Sequence, residues 1–453
     1  MKGQTVFASI FFEFALPNAA TWFYFSVLLG LAVFFRFDRI LSLRNWDLIT
    51  FYLVAPGLLL LIEAHAELAA NPPPPTDFER ESTTGERLLQ VGYFWLIGWS
   101  VYFFARALFD LGLEKRPSLT QNLNLPGLVW LALALAVTLG AVAVRRMPDA
   151  PVQVGRDPVA LTKVKQGAEA VVADPEGQTG SARVWAERCV AIALHLAVVV
   201  ALALIGGTHF RDPLTGMGMV GLYLMLPMTA YHFGQVHHVW PTVFILWAVY
   251  AYRRPLVAGS LIGVAAGTVF FPFLLFPLWF GFYRERGAGK FTLGFLLSAG
   301  LGLGLTAAIL LWSGELRQYW NVAISLSDWQ AWKAPTNEGI WTGSHWAYRL
   351  PVFIAYMTFV ALTAFWPKPR NLAQVVAQSA AVVIGVQFWY ADQGGVYVLW
   401  YMPLLLLMAF RPNLSEVRPP APADDDWMSA RVRRAAGWMS RLRRRRPTPA
   451  SVA

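Results

Sequence analysis

Residues 252–286 read YRRPLVAGSLIGVAAGTVFFPFLLFPLWFGFYRER, an apolar run that is closed at each end by a basic turn. The run between the turns carries no charge and is longer than the about 20 residues that one helix needs to cross a bilayer. If both turns lie on one side of a membrane, the two halves, 256–270 and 272–282, have to enter and return, with the break at Pro272. Broken helices of this kind occur where backbone lines a protein cavity and does not face lipid.

The whole chain has the composition of a membrane protein. Of its 453 residues, 56% are hydrophobic and 14% are charged, whereas about a quarter of the residues are charged in a typical soluble domain. Recurring apolar runs predict an all-α, polytopic membrane protein with about 11–13 transmembrane or re-entrant helices. The single cysteine, Cys189, excludes an intramolecular disulfide, and we expect its thiol to be buried. The predicted spans are 15–35, 46–62, 91–109, 128–144, 184–205, 218–231, 238–252, 256–270, 272–282, 291–312, 350–365, 372–388 and 396–410.

Lysine and arginine collect at one set of turns, and this asymmetry sets the predicted orientation. The positive-inside rule assigns the turns that contain Arg36, Lys115, Arg253 and Lys368 to the cytoplasm. The loop that starts at Arg145 is basic at its start, but long loops translocate with less regard to charge. The predicted regions are a membrane domain over 1–410, external loops over 62–90, 145–183 and 313–349, and a basic cytoplasmic tail over 411–453.

The tail contains the segment WMSARVRRAAGWMSRLRRRR, residues 427–446. Its apolar residues recur at alternating spacings of four and three, which predicts an amphipathic helix that lies on anionic lipids. A nucleic-acid-binding tail is the alternative for an arginine run, and the apolar stripe favours lipid over nucleic acid. The residues of the stripe are Met428, Val432, Ala435, Met439 and Leu442.

A polar stretch, MTAYHFGQVHHVWP at residues 228–241, interrupts the apolar spans with three histidines and a glutamine. A five-residue spacing does not put His232 and His237 on one helical face, and neither a cysteine nor an acidic residue lies nearby, so we expect no metal site. Two interpretations stay open. His232, Gln235, His237 and His238 either lie at the membrane interface, bonded to water and headgroups, or face a cavity as a polar site.

The region from Gly221 to Arg286 carries a series of motifs in a fixed order. A Gly-Gln pair opens a span, a basic turn follows, and a Gly-rich helix leads into a Pro-broken apolar helix that ends in an aromatic and basic turn. This order resembles the polyprenol-phosphate-sugar-dependent glycosyltransferases of family 87, which have the C-type membrane (GT-C) fold. A later loop, NEGIWTGSHWAYRL at residues 337–350, is similar to the late external loop of that family. The motif residues are Gly234-Gln235, Ala258-Gly259, Gly263, Gly267, Pro272 and Pro277.

The resemblance implies an integral-membrane enzyme that moves a hexose, with mannose as one candidate, from a polyprenol-phosphate sugar to an extracytoplasmic glycan or glycolipid, with inversion. It implies no cofactor beyond this donor, and leaves metal dependence open. It implies the plasma (inner) membrane as the location, with the active face outside the cytoplasm. Its partners would be the lipid-linked donor, the acceptor and, through the tail, anionic lipids, with no nucleic acid. The implied substrate-binding residues are His232, Gln235, His237, His238, Asn337, His345 and Arg349.

Catalysis in this fold is expected to use an acidic residue in the first external loop to deprotonate the acceptor hydroxyl. We expect Asp77, and after it Glu79, to be this base, since both follow the stiff run of prolines at 72–75. Arg349 is the best placed cation for the donor phosphate because it directly precedes a span.

One position departs from the family pattern. Many members carry a lysine just before the proline break, where this chain has Val269, and valine cannot pair with a phosphate. Another cation, such as Arg349, would have to replace that lysine, or the chain is a noncatalytic GT-C relative. A membrane transporter is the alternative from another class, since broken helices would serve it equally well.

Overall fold

The computed structural model describes residues 18–71, 83–113, 118–145, 179–312, 338–366, 370–391 and 393–412, with Leu414, Val417 and Arg434. All regular elements in these ranges are helices. Within the described residues, seven helices are long and apolar enough to cross a membrane, and four shorter apolar helices accompany them. These findings confirm the all-α class and fit a multi-pass membrane protein.

The helices match the predicted spans closely, and each predicted span contains or overlaps a helix. In chain order they are α1 Ala19–Phe34, α2 Leu43–Leu53, α3 Ala55–Ala70, α4 Thr84–Phe109, α5 Leu125–Arg145, α6 Thr179–Thr208, α7 Pro213–Met225, α8 Pro227–Tyr231, α9 Val236–Tyr250, α10 Pro255–Thr268, α11 Phe276–Tyr283, α12 Ala288–Trp312, α13 Arg349–Thr363, α14 Leu372–Trp389 and α15 Met402–Phe410. Short 3-10 turns are Phe37–Arg39, Asp110–Gly112, Phe271–Leu275, Trp346–Tyr348 and Val398–Trp400.

Helix α4 begins well before the apolar run, because a capping box fixes its start. The Thr83 hydroxyl accepts a bond from the Glu86 backbone N–H, and the Glu86 carboxylate accepts one from the Thr83 N–H at 2.8 Å. Such a box bonds two otherwise unpaired N–H groups at a helix start. Because α3 also continues to Ala70, the predicted loop over 62–90 is too long at both ends.

The basic turns meet at one end of the bundle, here called the basic end. A Cβ built on Gly287 would lie 2.6 Å from the Pro255 ring, so the turns before α10 and after α11 are neighbours. The Tyr283 hydroxyl also donates to the Tyr252 carbonyl oxygen at 2.6 Å. Both findings confirm that the segment between the two turns enters the bundle and returns to the same end.

The break between the two halves lies close to the predicted proline. Helix α10 ends at Thr268, Val269 is extended with φ −133° and ψ 140°, and a 3-10 turn containing Pro272 leads into α11. A proline has no N–H to continue the helix ladder, which explains the change of direction. A second break, which was not predicted, separates α7 from α8 at Leu226, directly before Pro227.

Helices α10 and α12 share the most extensive helix–helix contact of the described residues and run parallel to each other. Their backbones touch because glycines recur every four residues on α10. A Cβ built on Gly259 would lie 2.1 Å from the Phe291 carbonyl oxygen, and one on Gly263 would lie 2.5 Å from that of Phe295. Any larger residue at these positions would separate the two helices.

The core is formed by α14 and α15, which are mostly apolar around their whole circumference. Every residue of α14 from Val375 to Gln387 is buried, and so are all nine residues of α15. A helix that is hydrophobic all round belongs in such a position. The outer helices expose apolar side chains, and Cys189 on α6 is one of the exposed residues. The prediction of a buried thiol was wrong because lipid, in place of a protein core, can cover an apolar outer face.

Four buried charges join α2, α4 and the residue after α15 at the basic end. Arg106 donates to both carboxylate oxygens of Asp47, at 2.9 and 3.0 Å, and to Asp110 at 3.3 Å. Asp110 accepts a further bond from Arg411 at 2.7 Å. The charges alternate in sign, so each of the four is bonded to at least one opposite charge. Buried charges are tolerated only when they are paired in this way. Apart from Arg411, Pro412, Leu414, Val417 and Arg434, the predicted tail lies outside the described residues.

Arg370 joins α11 to the C-terminal end of α13 at the basic end. Its guanidinium donates to the carbonyl oxygens of Leu278 in α11, at 2.9 Å, and of Thr363 in α13. A cation is favourable at a helix C-terminus because the last carbonyls are unpaired. Burial, assisted by Arg284, lowers the pKa of Arg370 to about 10, so the group stays charged at neutral pH.

The substitution Gly263→Ala tests the contact between α10 and α12. The added methyl group meets the Phe295 carbonyl oxygen, so we expect a loss of about 1–3 kcal/mol in unfolding free energy. Thermal unfolding of the purified protein in detergent measures the change. Gly304→Ala is the matched control, because no described atom lies within 4 Å of a Cβ built there. Equal melting temperatures for the two variants would contradict the close contact.

The substitution Arg106→Gln tests the buried charge network. It removes the bidentate partner of Asp47, so we expect a loss of about 3–5 kcal/mol, the usual cost of breaking a buried ion pair. Arg254→Gln, at an exposed position of the same end, should leave the melting temperature unchanged. A small effect of both variants would show that the network does not stabilise the fold.

Candidate functional site

The histidine turn, residues 232–238, consists of the connection from α8 to α9 and the first residues of α9, and it lies inside the bundle. Its local shape follows from Pro227, which restarts the helix as the five-residue α8, and from Gln235, whose extended backbone precedes α9. His232 and His237 are each 3% exposed and His238 is fully buried. Burial of this degree contradicts the interpretation that these histidines are bonded to water and headgroups.

The imidazole rings of the turn stack on one another. The ring centroids of His232 and His238 are 3.6 Å apart, and those of His237 and His238 are 4.2 Å apart. Gln235 joins the group through its side-chain oxygen, which lies 2.8 Å from Nδ1 of His232. All four predicted residues of this stretch therefore come together.

A fourth histidine supports the turn from α6. His195 is fully buried, its Nδ1 lies 2.7 Å from the Tyr223 hydroxyl, and its Nε2 lies 3.5 Å from the carbonyl oxygen of His232. Its ring stacks on Phe233 at a centroid distance of 4.4 Å. Sequence reasoning missed His195, although a histidine inside an apolar span is itself a signal of function.

The connection between α14 and α15 covers the histidines from the other side. The Tyr397 ring lies 5.6 Å from that of His238 and stacks on Trp400 at 4.1 Å. The indole N–H of Trp400 donates to the His237 carbonyl oxygen at 2.9 Å. The turn is thereby fixed to the most buried part of the bundle.

The break after α10 reaches the same place. Phe271 stacks on Trp400 at 4.3 Å, and the Trp240 indole N–H donates to the Thr268 hydroxyl at 2.8 Å. Val269, which follows Thr268, is 1% exposed. The two segments that carry the family resemblance are thus neighbours in space.

Further buried polar atoms lie on α8, on α14 and in the connection between α14 and α15. Within the described part of the chain, no hydrogen-bond partner is in reach of Thr229 Oγ1, Gln387 Nε2 or Gln393 Oε1. The other side-chain atom of Gln387 accepts a bond from the N–H of Gly395 at 2.8 Å, and Gly395 has a φ of +98°, which favours glycine. Because buried polar atoms normally bond to a group of some kind, these three suit contact with water or a ligand.

The late loop reaches the same end of the molecule, here called the loop end. Its Trp341 indole N–H donates to the Phe388 carbonyl oxygen at 2.9 Å, and the Gln393 N–H donates to the Glu338 carbonyl oxygen at 2.8 Å. The Glu338 carboxylate lies 3.6 Å from Nε2 of His65 on α3. Neither His65 nor Glu338 was predicted.

Of the other predicted site residues, the structure describes two, His345 and Arg349. His345 is exposed and accepts a bond from the Ala347 N–H, so it caps a 3-10 turn. Arg349 is 2% exposed and begins α13. Asp77, Glu79 and Asn337 lie outside the described residues.

The described residues contain no group of three or more His, Cys, Asp or Glu side chains that could hold a metal ion. The histidine cluster consists of imidazoles, amides, hydroxyl groups and aromatic rings, all of which can bond without a full charge. Compared with known proteins, the chain matches no protein-family model, no curated protein and no solved structure.

The substitution Trp400→Phe tests how the histidine turn is held. It keeps an aromatic ring but removes the donor to the buried His237 carbonyl oxygen, so we expect a loss of about 1–3 kcal/mol. Trp366→Phe, at an exposed position, is the control. Thermal unfolding of both variants decides the matter, and equal melting temperatures would mean that this bond does not hold the turn.

Proposed function

We propose that this chain is an integral-membrane glycosyltransferase of the GT-C type. It moves a hexose, with mannose as one candidate, from a polyprenol-phosphate donor to an extracytoplasmic glycan or glycolipid and inverts the anomeric carbon. The observation that carries the proposal is the meeting of the histidine turn with the broken α10–α11 pair. These segments carry the family resemblance, and they touch through Trp240, Thr268, Phe271 and Trp400.

The chemistry of the cluster supports a sugar as ligand. Hexoses carry several hydroxyl groups, which exchange hydrogen bonds with amides and imidazoles, and an apolar ring face that packs on aromatic rings. Gln235 and the histidines supply the first kind of group, and the Tyr397 ring beside His238 supplies the second. Gln387 Nε2 and Gln393 Oε1 add a donor and an acceptor.

The donor phosphate requires a cation, and in this proposal Arg349 supplies it. Val269 is buried and apolar, so the position of the family lysine cannot pair with phosphate. Arg349 is buried at the start of α13, beside the late loop, and a buried guanidinium binds phosphate strongly. Asp77, followed by Glu79, stays the proposed base, with the loop end outside the cytoplasm and the tail at the inner face of the plasma membrane.

A transporter is the second candidate, and one observation favours it. Ionisable residues lie inside the helices that could span a membrane, namely Asp47 in α2, Arg106 in α4 and His195 in α6. Intramembrane residues of this type often mark ion or proton pathways. The charges at the basic end, however, form a compensated network that joins three elements, which is a sufficient structural role.

A transfer assay tests the proposal. Purified protein in lipid nanodiscs is incubated with a panel of radiolabelled polyprenol-phosphate hexoses and an extract of membrane glycolipids and glycans. We expect transfer of label to an acceptor, and a loss of about tenfold or more in Gln235→Leu, because a polar contact with the sugar is removed. Gln90→Leu, on the exposed face of α4, is the matched control and should transfer at the wild-type rate.

Each failure has a separate meaning. Transfer that is unchanged in both Asp77→Asn and Glu79→Gln would reject the assignment of the base to that loop. Absence of transfer from every donor, together with solute flux in proteoliposomes, would reject the enzyme and favour the transporter.

A further inference from the structure

The α1–α2 junction, residues 35–46, consists of the loop after α1 and the first turn of α2. It lies at the basic end, because the next residue, Asp47, bonds to Arg106 of the buried charge network. The junction carries three arginines and only one carboxylate, so its net charge is positive. Its charged residues are Arg36, Asp38, Arg39 and Arg44.

A buried amide holds the backbone of the junction in one shape. The Asn45 side chain is fully buried and donates to the carbonyl oxygens of Arg36, at 2.8 Å, and of Arg39, at 3.0 Å. Its side-chain oxygen accepts a bond from the Arg36 N–H at 3.0 Å, and the Ser42 hydroxyl caps α2. The arginines thus extend from a preformed loop, which lowers the entropy cost of binding a ligand there.

The guanidinium groups of the junction are only partly neutralised. Arg36 and Arg39 are exposed, and the Arg36 side chain reaches the Thr120 hydroxyl, a neutral partner, at 3.4 Å. Arg44 is half-buried and lies within electrostatic range of both of these arginines and of Asp38. Three cations therefore share one carboxylate, and this arrangement favours a further anion.

Arg44 offers an unused pair of hydrogen-bond donors. Its Nε and Nη2 atoms are buried, and no hydrogen-bond partner is in reach of either atom among the described residues. These two atoms form one edge of the guanidinium, the same edge by which Arg106 binds both carboxylate oxygens of Asp47. Because buried donors normally bond to a group of some kind, this edge suits two oxygens of one phosphate.

The junction also exposes apolar side chains, and Leu41 is 99% exposed. The Phe37 ring contacts the Phe35 ring edge-on at a centroid distance of 4.9 Å and is otherwise exposed. Arginines beside exposed apolar and tryptophan side chains suit the boundary between lipid headgroups and acyl chains. The exposed apolar residues of the junction are Phe37, Ile40, Leu41 and Trp46.

The apolar surface continues from the junction along α1, where Tyr24, Phe25 and Leu28 are exposed. A continuous apolar surface on the outer face of a membrane bundle is the surface that the bilayer covers. This continuity favours lipid over a protein partner as the occupant of the junction.

An ordinary positive-inside loop is the simpler account of the arginines. In such a loop the cations are in water and attract anionic lipids only through the surface potential. Arg254, an exposed residue at the same end, is a cation of this kind. The buried, unpaired edge of Arg44 and the backbone that Asn45 fixes are additional features, and they indicate a defined site.

We propose that the α1–α2 junction binds an anionic phospholipid of the leaflet at the basic end. The Nε–Nη2 edge of Arg44 binds two oxygens of the headgroup phosphate, Arg36 and Arg39 add positive charge, and Phe37 and Leu41 contact the acyl chains. A zwitterionic lipid binds more weakly, because its ammonium group brings a positive charge beside the arginines. The site lies at the other end of the bundle from the histidine turn and does not depend on the proposed function.

Lipid titration with native mass spectrometry tests the proposal on the full-length protein in detergent. Phosphatidylglycerol is the anionic probe, phosphatidylcholine is the zwitterionic probe, and glycerol phosphate supplies the headgroup without acyl chains. We expect the wild type to bind phosphatidylglycerol more tightly than either of the other two by about fivefold or more.

The substitution Arg44→Gln removes the donor edge. We expect it to lose one tightly bound phosphatidylglycerol, with an apparent affinity for that lipid that is lower by about fivefold or more. Arg254→Gln removes an exposed charge at the same end and should bind as the wild type does. Both variants keep the tail, so lipid bound to the tail contributes equally to each. If Arg44→Gln does not fold, Arg39→Gln, at an exposed position, replaces it.

The substitution Leu41→Ser tests the contact with acyl chains. It should weaken the binding of phosphatidylglycerol by about fivefold or more, because the leucine side chain is covered only by lipid. The melting temperature in detergent should stay at the wild-type value. Leu301→Ser, at an exposed position of α12, is the matched control and should bind as the wild type does.

Four results would overturn the proposal. Equal affinities for phosphatidylglycerol and phosphatidylcholine would reject an anionic lipid. Glycerol phosphate that binds as tightly as phosphatidylglycerol would assign the site to a free phosphate. Equal losses in Arg44→Gln and Arg254→Gln would mean that net charge alone attracts the lipid. Dimers that persist at every lipid concentration and are lost in Leu41→Ser would assign the surface to a second copy of the chain.

Discussion

The close approach of α10 and α12 is the constraint on which the arrangement of the loop end depends. Gly259 and Gly263 let the two backbones touch along their length. Because both helices also start at the basic end, they run parallel, and the chain between them has to return through the bundle. Only α11 and the 3-10 turn before it are available for this return. The break after Thr268 is therefore a requirement of the packing, and it puts Phe271 against Trp400 and the histidine turn.

Electrostatics differ between the two ends of the bundle. At the basic end, Asp47, Arg106, Asp110 and Arg411 compensate one another, and they connect helices that are far apart in sequence. Such networks cost desolvation energy but define which helices pair, since any other pairing would leave a buried charge alone. At the loop end, the buried groups of the histidine cluster bond through imidazoles and amides and need no counter-charge. The charges of the basic end thus have a structural role, while the histidine cluster is the candidate site of the proposed function.

The sequence predicted much of the fold, because membrane spans are encoded by local composition. The in-and-out segment followed from two basic turns and Pro272, and the structure confirmed it through the contact of Gly287 with Pro255. The burial of His232 and His238 was not decided by the sequence, because it depends on Tyr397 and Trp400, which come from a distant span. His65 and Glu338 could not be paired from sequence for the same reason, since no local pattern tells which loop touches α3. The burial of Cys189 was predicted wrongly, because an apolar residue in a membrane chain can face either the lipid or the protein core.

The buried Val269 bears on which element would bind the donor phosphate and which would bind the sugar in the proposed function. A lysine at that position would bring a charge beside Phe271 and Trp400, whereas valine keeps this side of the histidine cluster apolar. The cation of the proposal, Arg349, instead begins α13, and α13 packs on α14 through Phe353 and Trp389. In the proposed function, a lipid phosphate would then bind on the α13 side, and the sugar would extend to the imidazoles and amides. In the proposed function, the expected phosphate position therefore lies at α13 and not at α10.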